Sequence, residues 1–131
     1  GASVLLADRS LIGRGGATVM AQMTVAVALG QEAPDHWSHH LRDTLEAGAG
    51  LCREAVVRTI VEEGPERIRE LIELGMRFSE AEAASPGGKR ELDLGREGGH
   101  SQRRILHAKD VTGREIERAL LHRIATQQAQ T

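Results

Sequence analysis

Tyrosine is absent, and Trp37 and Phe78 are the only aromatic residues among 131. A core built almost without rings must be filled by Leu, Ile, Val, Ala and Met, packed by shape rather than by stacking. Cysteine occurs once, as Cys52, so no internal disulfide can form and a reducing cytoplasm is the compartment that fits. There is no basic excess: 17 Lys and Arg stand against 19 Asp and Glu, a formal charge of -2. That argues against nucleic acid as a partner, since a protein that neutralises many phosphates carries a basic patch. Long apolar runs are missing too. Ala17 to Leu29 is interrupted by Thr18, Gln22 and Thr24 and falls short of the roughly 20 residues of a membrane span, so it is expected to be buried in protein. No signal peptide, nucleophile elbow, lysine-bearing phosphate loop or paired-cysteine zinc pattern is visible.

The length suits one folding unit. Val4 to Ala7, ended by Asp8-Arg9-Ser10, reads as a parallel-sheet strand whose carboxyl end meets a crevice. With almost nothing before it, the chain is expected to open inside a larger domain. Gly13-Arg14-Gly15-Gly16 permits a tight turn, and Ala17 to Leu29 reads as a buried helix or as a helix followed by an extended turn. Pro34 and Asp35 start a helix to Ala47 with Trp37, Leu41 and Leu45 on one face, ended by Gly48 to Gly50. A second runs from Glu54 to Glu63. Gly64-Pro65 then breaks the chain, and a third reaches Leu74 with Gly75 as its left-handed cap. Ser79 to Gly99 reads as a loop with a short strand at Leu92 to Leu94. Thr112-Gly113-Arg114-Glu115 is a capping box that opens a last helix with Ile116, Leu120, Leu121 and Ile124 inward. Thr126 to Thr131 is a polar tail expected to fray.

Two segments have chemical capacity. The glycine turn with Thr18 and Gln22 would let a phosphate or a flat ring approach the backbone, although taken alone it is better explained as a plain strand-to-helix turn. In Arg96-Glu97-Gly98-Gly99-His100-Ser101 a carboxylate beside two glycines, with His100, Arg103 and Arg104 behind it, can bind an ammonium group and accompany proton transfer. The alternative is a solvated charged loop. His107 and Asp110 follow, and Asp110 suits the positive start of the last helix. His36, His39 and His40 share helical spacing, but no further ligand completes a metal set.

In order and spacing these segments resemble the flavoproteins that act on four-carbon dicarboxylates, the fumarate reductase and succinate dehydrogenase superfamily that includes the L-aspartate oxidases. The likeness rests on Val4 to Arg9, Ala21-Gln22, His40-Leu41-Arg42-Asp43-Thr44, Ala47-Gly48-Ala49-Gly50, Glu63 to Ile68, Leu74-Gly75-Met76-Arg77-Phe78 and Arg96 to Ala108 before Asp110-Val111-Thr112-Gly113. Glutamate at 97, where the dehydrogenases and reductases carry phenylalanine, is similar to the aspartate oxidases, and a carboxylate there can pair with an amine that succinate lacks.

The resemblance implies an α-rich fragment of an α/β, Rossmann-like FAD-binding domain, with several helices and a few short strands. Residues 1–125 would form a partial domain without the Gly-x-Gly-x-x-Gly unit and the capping domain, and 126–131 the tail. It implies oxidation of L-aspartate to iminoaspartate for quinolinate and NAD synthesis. FAD would be the hydride acceptor, a small dicarboxylate or amino acid the substrate, and Glu97 and His100 the substrate-side residues. Thr18, Ala21 and Gln22 would lie along the flavin, with Ser10, Gly15 and Gly16 near its adenosine side. Ala17 stands where the dehydrogenases bond FAD through histidine, so the cofactor would be non-covalent. Met23-Thr24 replaces the family's Gly-Gly and would crowd the flavin approach. The chain alone is expected to be inactive, and to self-associate or pack on the remainder of a flavoprotein. The alternatives are a fumarate reductase-like fragment acting on a dicarboxylate without an amine, and a non-catalytic helical interaction module derived from such a protein.

Overall fold

The computed structural model describes residues 4, 5, 7–13, 15–31, 34–82 and 91–128. Leu6, Arg14, positions 83–90 of the loop after Ser79 and the last three residues of the tail lie outside them. Three helices enclose one two-stranded sheet: α1 (Trp37–Ala47), α2 (Glu54–Glu73) and α3 (Thr112–Gln128), with β1 (Val25–Ala26) and β2 (Ile105–Leu106).

The first strand reading is not upheld. Val4 and Leu5 are 85% and 93% exposed and belong to no strand, because no described segment offers them a pairing edge. In the stretch from Ala17 to Leu29 the helix shrinks to a single 3-10 turn, Thr18–Met20, before the chain extends into β1. β1 pairs antiparallel with β2, Val25 opposite Leu106 and Ala26 opposite Ile105. The ladder continues as single bridges, Gly95 to Ile105 and Glu80 to Leu92, the latter taking the place of the strand expected at Leu92 to Leu94. Val27, Ile68, Met76, Phe78, Leu94, Leu106 and Ala119 form the core around it.

The two helices expected on either side of Gly64-Pro65 are one. Proline inside a helix deletes a backbone bond and costs about 3 kcal/mol. Two features keep the helix whole. Gly64 carries no Cβ to meet the following ring, and Val61 and Ile68, one turn to either side, are both buried. Gly64 also lies against β1's continuation, since a Cβ there would stand 3.3 Å from Val27 Cγ2. Gly75 caps α2 at φ +95°, with Met76 N–H donating to Leu71 O and Gly75 N–H to Ile72 O, each 2.9 Å. That pair of bonds is the Schellman motif.

α1 begins two residues later than expected. His36 caps it, its Nδ1 accepting from Ser38 N–H, while Asp35 is drawn away to Arg104. The reciprocal capping box of α3 does not form either. Thr112 Oγ1 accepts from Ala108 N–H at 3.0 Å, and Glu115 accepts from Arg77 N–H at 3.0 Å while pairing with Arg118. A local donor has taken Thr112 and a distant one Glu115. The inward stripe of α3 shifts accordingly: Ala119 and Gly113 are buried and Ile116 packs on the core, whereas Leu120 and Ile124 are each 40% exposed. Among the described residues no helix is long and apolar enough to cross a membrane.

Candidate functional site

The turn after Asp8 is held by its own side chains. Ser10 donates from N–H and Oγ to Asp8 Oδ1 at 2.8 and 3.1 Å, and Gly15 packs so closely under Ser10 Oγ that a Cβ there would force the hydroxyl to turn away. Gly13 and Gly16 adopt φ +75° and +88°, the left-handed region that excludes most side chains. Beyond them the 3-10 turn forms one wall of a groove of about 310 Å³, lined by Ala17, Thr18, Ala21 and Thr24 with Gly113 and Ile116 of α3 opposite. The two walls touch at their base, where Gly113 N–H donates to Ala21 O at 2.9 Å. Of the residues expected along a flavin, Ala17, Thr18 and Ala21 line this groove. Gln22 is exposed and is not among the lining side chains, and Ser10, Gly15 and Gly16 sit in the adjoining turn.

The second expected segment meets the first. Thr24 Oγ1 donates to Glu97 Oε1 at 2.9 Å, so the Glu97 carboxylate stands at the edge of the groove. Thr24 therefore supports Glu97 as well as taking up space that glycine would leave open. Loop 96–104 springs from the Gly95–Ile105 bridge and folds on itself, with His100 N–H donating to Glu97 O at 3.3 Å and Arg96 Nε to His100 O at 3.0 Å. Glu97 is exposed and His100 half-buried. A neighbouring cleft of about 420 Å³ is lined by Asp43, Glu46, Arg96, Gly99, His100 and Ser101.

Behind this loop lies a cluster that the sequence reading did not foresee. Arg104 is fully buried and committed to protein. Its Nε and Nη2 meet both oxygens of Asp35 at 2.8 Å, and its Nη1 donates to Asp43 Oδ2 at 2.7 Å. A buried guanidinium needs such partners on every edge. Asp43 Oδ2 also accepts from Ser101 N–H and Oγ, both at 2.7 Å. Burial alone raises the Asp43 carboxyl, but the two Ser101 bonds and Arg104 together outweigh it and hold it well below the usual carboxylate range. His40 completes the cluster, its ring 5.6 Å from that of His100. Burial, then the positive Arg104 and His100 beside it, press its pKa down to about 4, and its Nδ1 is buried without a hydrogen-bond partner.

One sequence signal could have found this cluster. His40 and Asp43 are three apart in α1 and so share a helix face, a polar strip running beside Leu41. The three adjacent histidines part company: His36 caps α1, His39 lies 3.8 Å from Asp35 Oδ1 and His40 is buried. His107 Nε2 stands 3.2 Å from Asp93, away from the groove. Among the described residues no group of three metal-ligating side chains comes together.

Known proteins match this arrangement. L-aspartate oxidase 2-b of Nicotiana tabacum is 54% identical over 90 residues, 69% of this chain and 13% of that protein. L-aspartate oxidase of Streptomyces coelicolor is 50% identical over 111 residues, 83% of this chain and 18% of that protein. Among solved structures, the Sdh1 complex of Mycobacterium smegmatis in its apo form superposes with a TM-score of 0.80 at 32% identity, covering 93% of this chain and 20% of that one. An E. coli quinol fumarate reductase chain gives 0.68 at 27% identity over 83% of this chain and 17% of that one. The chain thus spans less than a fifth of the length of these two oxidases. The model of the FAD binding domain matches residues 1–131, and the chain belongs to that family.

Proposed function

We propose that this chain is the part of an FAD-dependent L-aspartate oxidase that holds one side of the isoalloxazine and presents a carboxylate to the substrate amine. One observation carries the reading: Glu97 reaches the groove edge through Thr24. A flat, largely apolar ring suits the groove, whose lining is Ala, Val, Met, Ile and Gly with Thr18, Thr24 and Thr112 as polar contacts. Residues 1–125 would be a portion of a Rossmann-like domain, with Ser10, Gly15 and Gly16 toward the adenosine side and Gln22 near the ring edge. Ala17 offers no nucleophile, which supports non-covalent binding.

In this reading Glu97 binds the ammonium group of L-aspartate by a charge-assisted hydrogen bond, using the carboxylate oxygen that Thr24 leaves available. His100, on the same loop, borders the substrate. Its Nδ1 faces Arg104 Nη1 at 3.4 Å, and arginine can only donate, so the neutral ring carries its proton on Nε2. Bound FAD supplies the hydride acceptor for the Cα–H bond. The exposed Leu5, Leu51 and Ile60 support a surface covered by further protein, and the single Cys52 supports a reducing compartment.

The test is made on a polypeptide of the relatives' full length that carries this sequence. Purified protein should absorb near roughly 450 nm from flavin, released intact by denaturation, and bleach with L-aspartate under nitrogen. A colourless protein that takes up no FAD would sink the reading in favour of an interaction module. The structural likeness to succinate dehydrogenase favours a second reading, a dicarboxylate substrate without an amine, and bleaching by succinate but not by aspartate would establish it.

A further inference from the structure

The residues that carry Glu97 and His100 form the nine-residue loop 96–104, rooted at the Gly95–Ile105 bridge, where Gly95 N–H donates to Ile105 O at 2.8 Å and Ile105 N–H returns to Gly95 O at 3.1 Å. Closure at the root leaves the tip free to sample many conformations. Among the described residues, hydrogen bonds of Glu97 and Ser101 tie its tip to the rest of the chain in two places. One is the Thr24–Glu97 hydrogen bond, which is exposed and therefore weak in water. The other is partly buried: Ser101 donates twice to Asp43, whose side chain is buried and is itself clamped by Arg104. Arg104 in turn is fixed from both ends. Its backbone carbonyl accepts from Val27 N–H at 2.9 Å beside β1, and its side chain bonds Asp35 ahead of α1. The chain of contacts runs from the sheet under the groove, through Arg104 and Asp43, to the residue immediately after His100.

We propose that Asp43 and Ser101 are positioning residues for the substrate amine site, acting through the loop so that the Glu97 carboxylate is held over the groove before substrate arrives. This rests on the reading of Glu97 as the ammonium partner. A loop ordered in advance spares the substrate the entropy of ordering it. The bond that Glu97 makes to the ammonium is formed in the ground state and kept in the transition state, so loosening the loop raises KM and leaves kcat nearly unchanged. Neither residue touches the cofactor groove, and FAD affinity should not move.

The experiment compares wild type with Ser101→Ala and Asp43→Asn in the full-length flavoprotein. Ser101→Ala removes one of the two donors and keeps the backbone bond, and it tests the proposal even where Asp43→Asn does not fold. The expected result for Ser101→Ala is a KM for L-aspartate raised about tenfold, as for one modest hydrogen bond. kcat should stay within about twofold. Amide hydrogen exchange at residues 97–101 should speed up by a similar factor while α1 stays protected. Unchanged KM and unchanged exchange would overturn the proposal, as would a loss confined to kcat. Wild-type protein that oxidises no aspartate would defeat the functional reading alone, and unchanged exchange in Ser101→Ala would still defeat the positioning role.

Discussion

Thr24 and Glu97 are 73 residues apart and share a hydrogen bond of 2.9 Å, which joins the segment lining the groove to the loop that carries the carboxylate. Replacing Glu97 by Gln keeps the shape and an acceptor oxygen for Thr24 while removing the charge. A charge-assisted hydrogen bond contributes roughly 1.5–3 kcal/mol, so KM for L-aspartate should rise roughly ten- to hundredfold by the tenfold-per-1.4 kcal/mol rule. The inhibition constant of succinate, which has no amine, should change little. Steady-state kinetics with both compounds checks this, and equal weakening of the two would remove Glu97 from the amine site.

His40 makes the fold sensitive to mild acid. Its folded pKa is lowered from 6.5 to about 4, so the unfolded chain binds the proton first. Stability is complete above about pH 6.5 and is lost as pH falls toward 4. Arg104, His100, Asp35 and Asp43 are the charged or titratable groups that set this. Asp43 acts in a lower window. Its depressed folded pKa contributes stability above the usual carboxylate value, lost as pH falls through and below it. In urea titrations from pH 7 to 3, His40→Gln should flatten the slope between pH 6.5 and 4 and leave the loss below it. An unchanged slope would mean that His40 has the same pKa in the folded and unfolded chains.

Pro65 sits inside α2 at a net cost. Pro65→Ala restores a backbone donor and a good helix former, against a small gain in unfolded-chain entropy, so the protein should be stabilised by about 2 kcal/mol. The melting temperature should rise by several degrees with flavin absorbance unchanged. A fall would show that the proline ring itself packs productively.

Periodic and conformational signals were readable from the sequence because they act over a few residues. The apolar spacing of α1, the left-handed Gly75 and the dense polar loop at Arg96 to Ser101 all stand where the residues suggested. What could not be read depends on partners far away in the chain. Arg104 finds Asp35 and Asp43 across 69 and 61 residues, and no local pattern distinguishes a buried arginine from a substrate clamp. Thr112 and Glu115 have the spacing of a capping box, yet Glu115 is taken by Arg77, 38 residues away, while Thr112 turns back to the nearby Ala108 N–H. The Gly64-Pro65 pair has a strong local preference for a break, overridden by burial of Val61 and Ile68. Val4 to Ala7 is apolar enough for a strand, yet among the described residues Val4, Leu5 and Ala7 find no edge to join.

Gly113 decides whether the groove exists. It is buried at the start of α3, its N–H bonded to Ala21 O, and a Cβ would collide with the carbonyl oxygen of Thr18 and press on Ala21. Helix propensity by itself favours alanine there by about 1 kcal/mol. The obstacle is backbone on both sides and cannot rotate away, so overpacking of roughly 1–3 kcal/mol should win, and α3 must withdraw from the 3-10 turn. Both walls of the groove then separate. Gly113→Ala in the full-length protein should lower the melting temperature and weaken FAD binding together, measured by thermal melts and by flavin fluorescence titration. Lowered stability with FAD affinity intact would place the cofactor somewhere other than between Thr18, Ala21 and α3.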